Sequence, residues 1–91
     1  MLNKNNVHNR DYILDYLAPV VSLINKGINH TEAFKEIARK LEVTKQTVND
    51  RCARGISLST QQFVELVKSG RIKQHVLNKF PDRKDVINAT L

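Results

Sequence analysis

The chain has 91 residues, enough for one domain with a core of modest size. Its 15 Lys and Arg against 9 Asp and Glu give a net charge of +6 and a pI of about 9.8, which favours a polyanionic partner. No apolar run reaches the roughly 20 residues of a membrane span, no secretory signal opens the sequence, and a lone cysteine forms no internal disulfide. We therefore expect an intracellular, cytoplasmic protein without a membrane partner, associated with the nucleoid if it binds DNA.

The positive charge is spread along the chain. Residues 1–30 carry 3 basic and 2 acidic side chains, residues 31–58 carry 6 and 4, and residues 59–91 carry 6 and 3. A basic, solvated surface with no particular function would have a similar distribution. Charge alone is therefore weak support for nucleic-acid binding.

Residues 1–9 are polar and rich in asparagine, and we interpret them as a flexible arm. A basic arm can enter the minor groove of DNA. This one is accompanied only by Lys4 and Arg10, so a frayed terminus is the simpler interpretation.

Residues 11–26 carry a dense apolar face at helical spacing, which Pro19 interrupts. Because proline suits the first turn of a helix and disrupts its interior, two arrangements are open: two short helices over 11–17 and 19–26, or one kinked helix. Gly27 is placed to end this segment in a left-handed conformation.

The next two segments predict a pair of short amphipathic helices. Asn29 and Glu32 have the spacing of a capping box, with Thr31 as a competing cap, and open a helix from about residue 31. Its apolar face contains Phe34, Ile37, Ala38 and Leu41. After a tight turn in which Val43 points to the core, Thr44 caps a second helix that runs to Arg54 and is closed by Gly55. The inward positions of this second helix are Val48 and Cys52.

The segment 31–54 resembles a helix-turn-helix DNA-binding domain of the trihelical, wingless type. Ala38 matches the small residue that lets the two helices approach each other. The matching apolar positions are Ile37, Leu41, Val43 and Val48, and the polar opening of the second helix is matched by Thr44, Gln46 and Thr47. Two positions depart from the pattern: Glu42 stands where glycine is usual, and Arg51 stands where an apolar residue is common. Cys52 would take the place of that apolar residue through a slight rotation of the helix.

If Val48 and Cys52 point inward, the step of about 100° per residue identifies the outward face of the second helix. The predicted base contacts are Gln46, Asn49, Asp50 and Ala53. The two amides can each pair with adenine N6 and N7, Ala53 can contact a thymine methyl, and Asp50 can accept from cytosine N4 or repel wrong registers. The predicted phosphate contacts are Thr44, Lys45, Thr47, Arg51 and Arg54.

Residues 59–91 predict accessory helices. Residues 56–58 lack the alternation of a strand, so we expect no wing. Ser59 and Gln62 repeat the capping-box spacing and open a helix through residue 69, ended by Gly70. Residues 71–80 form another helix, stopped by Pro81, and Asp82 with Asp85 can cap a last one. The predicted inward side chains are Phe63, Leu66, Val67, Ile72, Val76, Leu77, Phe80, Val86 and Ile87. The whole chain, 1–91, is thus predicted to be a single all-α domain, a compact bundle of five or six short helices.

No catalytic or metal-binding pattern is present in the sequence. The histidines, His8, His30 and His75, have no zinc spacing with Cys52, so we expect buried packing for the cysteine and a solvated surface for the histidines. The close carboxylates, Asp11 with Asp15 and Asp82 with Asp85, stand at predicted helix starts, where the helix dipole explains them. We expect no enzyme activity, no metal, no cofactor and no small-molecule ligand.

Two functions follow as hypotheses. The first is sequence-specific binding of double-stranded DNA through residues 44–54 in the major groove, in a transcriptional regulator or in the recognition domain of a larger restriction, recombination or transposition protein. The alternative is a protein-interaction or dimerisation module that uses the helices after Gly55, on the expectation that Phe63, Val64, Val67 and Phe80 exceed what the core can bury. A homodimer would present paired helices about one DNA turn apart. RNA binding ranks third, since no aromatic stacking platform is visible.

Overall fold

The computed structural model describes residues 11–91, and within them the segments with apolar periodicity form helices joined by short turns. In this part there are six helices and no strand, so the predicted wingless all-α bundle is confirmed. We number them α1 (Tyr12–Leu17 continuing as Ala18–Asn25), α2 (His30–Leu41), α3 (Lys45–Asn49 continuing as Asp50–Arg54), α4 (Thr60–Ser69), α5 (Ile72–Lys79) and α6 (Lys84–Thr90). A 3₁₀ turn, Pro81–Arg83, precedes α6. The predicted arm, 1–9, lies outside the described residues.

Helix α1 runs through Pro19 without a break. Leu17 (φ −70°, ψ −54°) and Ala18 (φ −61°, ψ −45°) are both helical, so of the two arrangements left open the structure has the single helix. Its first six residues wind as a π-helix, and Pro19 is the second residue of the α-helical part. The missing N–H of the proline therefore falls at the junction of the two windings, where it disturbs the hydrogen-bond pattern least.

The Asp11 carboxylate starts α1 and also ties it to the C-terminal part of the domain. It accepts from the N–H groups of Ile13 (2.8 Å) and Leu14 (2.9 Å) and from the Arg83 guanidinium (2.8 Å). Burial acts to raise the pKa of Asp11, but these donors stabilise the carboxylate more strongly, so the pKa lies below its ordinary value. The prediction that Asp82 and Asp85 cap the last helix, α6, is wrong. Arg83 precedes that helix, and no side chain caps it.

One apolar core lies between the helices. Its largest fully buried side chains include Phe63, Ile13, Leu17, Ile56 and Ile87. The Phe63 ring stacks on Phe34 with centroids 6.3 Å apart, which joins α4 to α2. Val64 and Val67 are buried as well, and Phe80 packs against the core. The idea that these apolar side chains exceed the capacity of the core is therefore wrong.

Four helix ends close on a residue in the left-handed conformation. Gly27 (φ 100°) follows α1 and Gly70 (φ 78°) follows α4, as predicted. The other two are not glycine: Glu42 (φ 59°) follows α2 and Ser57 (φ 61°) comes after α3. Helix α3 ends at Arg54 as expected, but the left-handed residue beyond it is Ser57 and not Gly55.

Gly55 is needed for space and not for its backbone angle, because its φ is −59°. A Cβ at this position would lie 2.7 Å from Cε1 of Tyr12, whose ring packs against the backbone here. The Tyr12 hydroxyl donates to the Cys52 carbonyl at 3.0 Å, and burial raises the pKa of this phenol, so the group stays protonated as a donor. The start of α1 is thus fitted closely onto the end of α3.

No helix within residues 11–91 has the length and apolarity needed to cross a lipid bilayer.

Candidate nucleic-acid interface

The turn from α2 to α3 places α3 with one side on the core. Glu42 turns the chain in the left-handed conformation, and the Val43 N–H bonds back to the Ala38 carbonyl at 3.0 Å. Val43 packs against the core, as predicted. The Thr44 hydroxyl then accepts from the Thr47 N–H at 3.1 Å and caps α3. A turn of three residues therefore suffices to reverse the chain and begin the next helix.

The inward side of α3 is formed by Val48 and Cys52, both fully buried. The Cys52 thiol lies 3.6 Å from the Tyr16 carbonyl oxygen, and burial raises the pKa of this thiol to about 12. The thiol therefore stays protonated at neutral pH and acts as a small core side chain. The packing role predicted for Cys52 is confirmed.

Ala53 is a correction to the predicted outward face. It is 2% exposed and belongs to the core, so it does not face outward and offers no contact to a thymine methyl. The reason is that Asp50–Arg54 winds as a π-helix, whose wider turn advances each residue by less than 100°. Cys52 and Ala53 consequently both face inward, as the successive pair Ala33 and Phe34 does in α2.

Gln46, Asp50 and Arg54 form a polar row along the opposite side of α3. The Gln46 amide nitrogen donates to Asp50 Oδ1 at 2.9 Å, and the same oxygen lies 3.9 Å from Nε of Arg54. The spacing of four residues places the three side chains one above another on the helix. Arg54 is highly exposed, with 81% of its side chain accessible.

Asn49 connects α3 to α4, a contact that the sequence did not indicate. The Thr60 hydroxyl donates to Asn49 Oδ1 at 2.7 Å, across the start of α4. Between the two helices lies a concavity of about 250 Å³ lined by Gln46, Asn49, Asp50, Ala53, Arg54, Leu58, Ser59 and Thr60. The capping box of Ser59 and Gln62 is visible in the sequence and confirmed, but its closeness to α3 depends on the path of residues 55–58.

The residues predicted to contact phosphates are divided between the two ends of α3. Thr44 and Thr47 share a hydrogen bond of 2.9 Å between their hydroxyls, so both take part in the cap. Lys45 is exposed beside them. At the other end Arg54 borders the concavity, whereas the Arg51 guanidinium lies over the Tyr16 ring, 6.0 Å from its centroid. The predicted set is therefore not one patch but a cation at the start and two at the end.

Further polar groups from α5 approach the end of α3. Lys79 donates to the Ser57 hydroxyl at 3.2 Å, and His75 Nε2 lies 3.2 Å from the Ile56 carbonyl oxygen. His75 is thus half-buried and bonded, and half-buried His30 packs edge-on against Phe34 with centroids 5.9 Å apart. The expectation of fully solvated histidines is wrong for both, and His8 lies outside the described residues.

Comparison of the chain with protein-family models, with curated proteins and with solved structures gives no match. Among residues 11–91 no three His, Cys, Asp or Glu side chains are grouped so that they could share a metal ion.

Proposed function

We propose that the protein binds double-stranded DNA sequence-specifically by inserting the exposed side of α3 into the major groove. This activity would serve a transcriptional regulator or the recognition domain of a larger DNA-processing protein. The observation that carries the proposal is the division of α3 into two sides: Val48 and Cys52 are fully buried, while Gln46 and Asn49 hold amide groups on the opposite side. An α-helix of about 10–12 Å diameter fits the major groove, and amides can bond to base edges there.

The charges around α3 support the same proposal. Within residues 11–91 neither Lys45 nor Arg51 takes part in an ion pair, and Arg54 is only loosely paired with Asp50 at 3.9 Å. Cations at both ends of a helix in the groove can reach phosphates on either side and set the register. Asp50 lies between them and penalises registers that would bring it close to a phosphate.

Titration of duplex DNA at two salt concentrations tests the proposal directly. We expect affinity to fall steeply with salt, because each phosphate contact releases a counterion. Lys45→Ala should weaken binding to all sequences alike and reduce the slope of log K against log salt by about 1. Gln46→Ala or Asn49→Ala should change the preferred sequence, at a cost of about 1–3 kcal/mol on the best site.

Lys26→Ala is a control with the same change in charge. Lys26 follows α1, and α2, which has 12 residues and is therefore about 18 Å long, separates this end from the turn before α3. This variant should retain the sequence preference and nearly all of the affinity. Binding that is absent, or that does not depend on salt, would contradict the proposal.

The alternative, docking or dimerisation through the helices after Gly55, is not proposed. Its motive was an excess of apolar side chains, and Phe63, Val64 and Val67 are buried in the core. A homodimer on DNA stays a prediction that sedimentation of the free chain and of its DNA complex would test.

A further inference from the structure

We infer that Asp50 is a positioning residue that holds the Gln46 amide with its oxygen free, so that Gln46 selects an amino base, adenine or cytosine, over a keto base. This inference rests on the proposed function, because the base is the one that Gln46 meets when α3 lies in the major groove. Adenine N6 and cytosine N4 are the donors at that edge, whereas guanine and thymine present O6 and O4.

The polarity of the contact between the two side chains follows from their chemistry. An ionised carboxylate only accepts hydrogen bonds, so the group of Gln46 that lies 2.9 Å from Asp50 Oδ1 is its NH₂. The amide oxygen of Gln46 therefore makes no hydrogen bond with Asp50 and points away from it as an acceptor. An exposed amide that nothing holds can exchange the positions of its oxygen and nitrogen and would accept either kind of base.

Two features hold Asp50 itself in place. First, Asp50 is half-buried on α3. Second, the Oδ1 that accepts from Gln46 also lies 3.9 Å from Nε of Arg54. This oxygen is therefore flanked by the Gln46 donor one turn before it and by the Arg54 cation one turn after it. The spacing of four residues on each side lets a regular helix surface maintain the row without a loop.

The neighbouring Asn49 has the opposite polarity. Its Oδ1 already accepts from the Thr60 hydroxyl at 2.7 Å, so the capacity that remains on this amide is mainly that of its NH₂ donors. Gln46 and Asn49 are three residues apart and lie side by side on the helix. The pair therefore offers an acceptor next to a donor, which suits an amino group next to the N7 or O6 acceptor of a purine.

The test is binding selection from a random duplex pool with four proteins: wild type, Gln46→Ala, Asp50→Ala and the double variant. The base position at which Gln46→Ala loses its preference identifies the base that Gln46 reads. There we expect the wild type to prefer adenine or cytosine by about tenfold, and Asp50→Ala to lower this ratio to about twofold. If Asp50 acts through Gln46, Asp50→Ala has no further effect on preference when Gln46 is already alanine.

Other outcomes would overturn the inference while leaving the proposed function intact. These are a preference for guanine or thymine at that position, an unchanged preference in Asp50→Ala, or an effect of Asp50→Ala that persists in the double variant. The last result would show that Asp50 reads a base itself. Absence of salt-dependent binding by the wild type would instead overturn the proposed function, and the inference with it.

The hydrogen bond is also measurable without DNA. In the free protein, the side-chain NH₂ signals of Gln46 should differ from those of a free glutamine amide in NMR spectra and move towards free values in Asp50→Ala. Gln61, an exposed glutamine on α4, provides a reference signal within the same chain. Gln46 signals that do not respond to Asp50→Ala would overturn the inference whatever the DNA results.

Discussion

Helices α2 and α4 end in the same type of turn, but the left-handed residue differs between them. After α2 the left-handed residue is Glu42, and the next N–H, of Val43, bonds to the Ala38 carbonyl at 3.0 Å. After α4 the left-handed residue is Gly70, and the next N–H, of Arg71, bonds to the Leu66 carbonyl at 2.9 Å. These are the bonds of a Schellman motif in both cases.

The difference shows where local preference suffices and where tertiary contacts are needed. Glycine adopts the left-handed region freely, so Gly70 ends α4 by itself. An L-residue such as Glu42 pays about 1–2 kcal/mol for that region, and packing must offset the cost. The residues directly after Glu42 offset this cost: Val43 packs against the core, and Thr44 caps α3. The helix end before the proposed DNA-reading helix is therefore held by its surroundings.

Gly55→Ala should have the largest effect on stability, because this glycine is required for space and not for its backbone conformation. The new Cβ would lie 2.4 Å from the Arg51 carbonyl oxygen and 2.7 Å from the Tyr12 ring. We expect the free energy of unfolding to fall by about 2–3 kcal/mol, as for overpacking elsewhere. Urea unfolding followed by circular dichroism measures this change.

A double-mutant cycle with Tyr12→Ser separates the two clashes. Removing the ring should recover part of the loss caused by Gly55→Ala, while the contact with the Arg51 carbonyl remains. Strict additivity of the two substitutions would show that the ring does not lie against this backbone.

Gly70→Ala should have a smaller effect, a loss of about 1 kcal/mol. Nothing lies within 4 Å of a Cβ at this position, so the loss reflects only the left-handed φ of 78°, reduced by the lower entropy of the unfolded chain. The same unfolding experiment measures it. A loss as large as that of Gly55→Ala would break the distinction between glycine used for conformation and glycine used for space.

Glu42→Gly should stabilise the protein by about 0.5 kcal/mol. The substitution relieves the left-handed strain at φ 59°, and greater freedom in the unfolded chain cancels part of the gain. Because Glu42 is exposed and lies outside α3, DNA affinity should stay close to that of the wild type, apart from the effect of one lost negative charge. A clear loss of stability would indicate that the Glu42 side chain, and not its neighbours, holds the turn.

Ser57→Gly should have the smallest effect, within about 0.5 kcal/mol of zero. It relieves the same strain at φ 61°, but it also removes the hydroxyl that accepts from Lys79 at 3.2 Å. Ser57→Ala is the matched control, since it loses the hydroxyl without relieving the strain, and it should be the less stable of the two. Equal melting temperatures would show that the backbone strain at Ser57 is negligible.

Apolar spacing and helix caps, which act over a few residues, are enough to predict the helices, their order and most of their buried sides. The sequence identifies Thr44 and Ser59 as caps, Gly27 and Gly70 as helix ends, and the inward positions of α3, Val48 and Cys52. Before α2 it leaves Asn29 and Thr31 as alternative caps, of which the structure has Asn29. These features depend on neighbours along the chain, which the sequence displays directly.

The arrangement of the outer side of α3 depends instead on contacts made in the folded protein. The π-helical winding buried Ala53, the path of residues 55–58 brought Thr60 to Asn49, and packing held Glu42 and Ser57 in conformations that their identity disfavours. The hydrogen bond between Gln46 and Asp50 likewise depends on which rotamers the two side chains adopt. Such features arise from contacts between residues distant in sequence, or from a choice between local conformations of similar energy. The apolar periodicity of a sequence predicts neither.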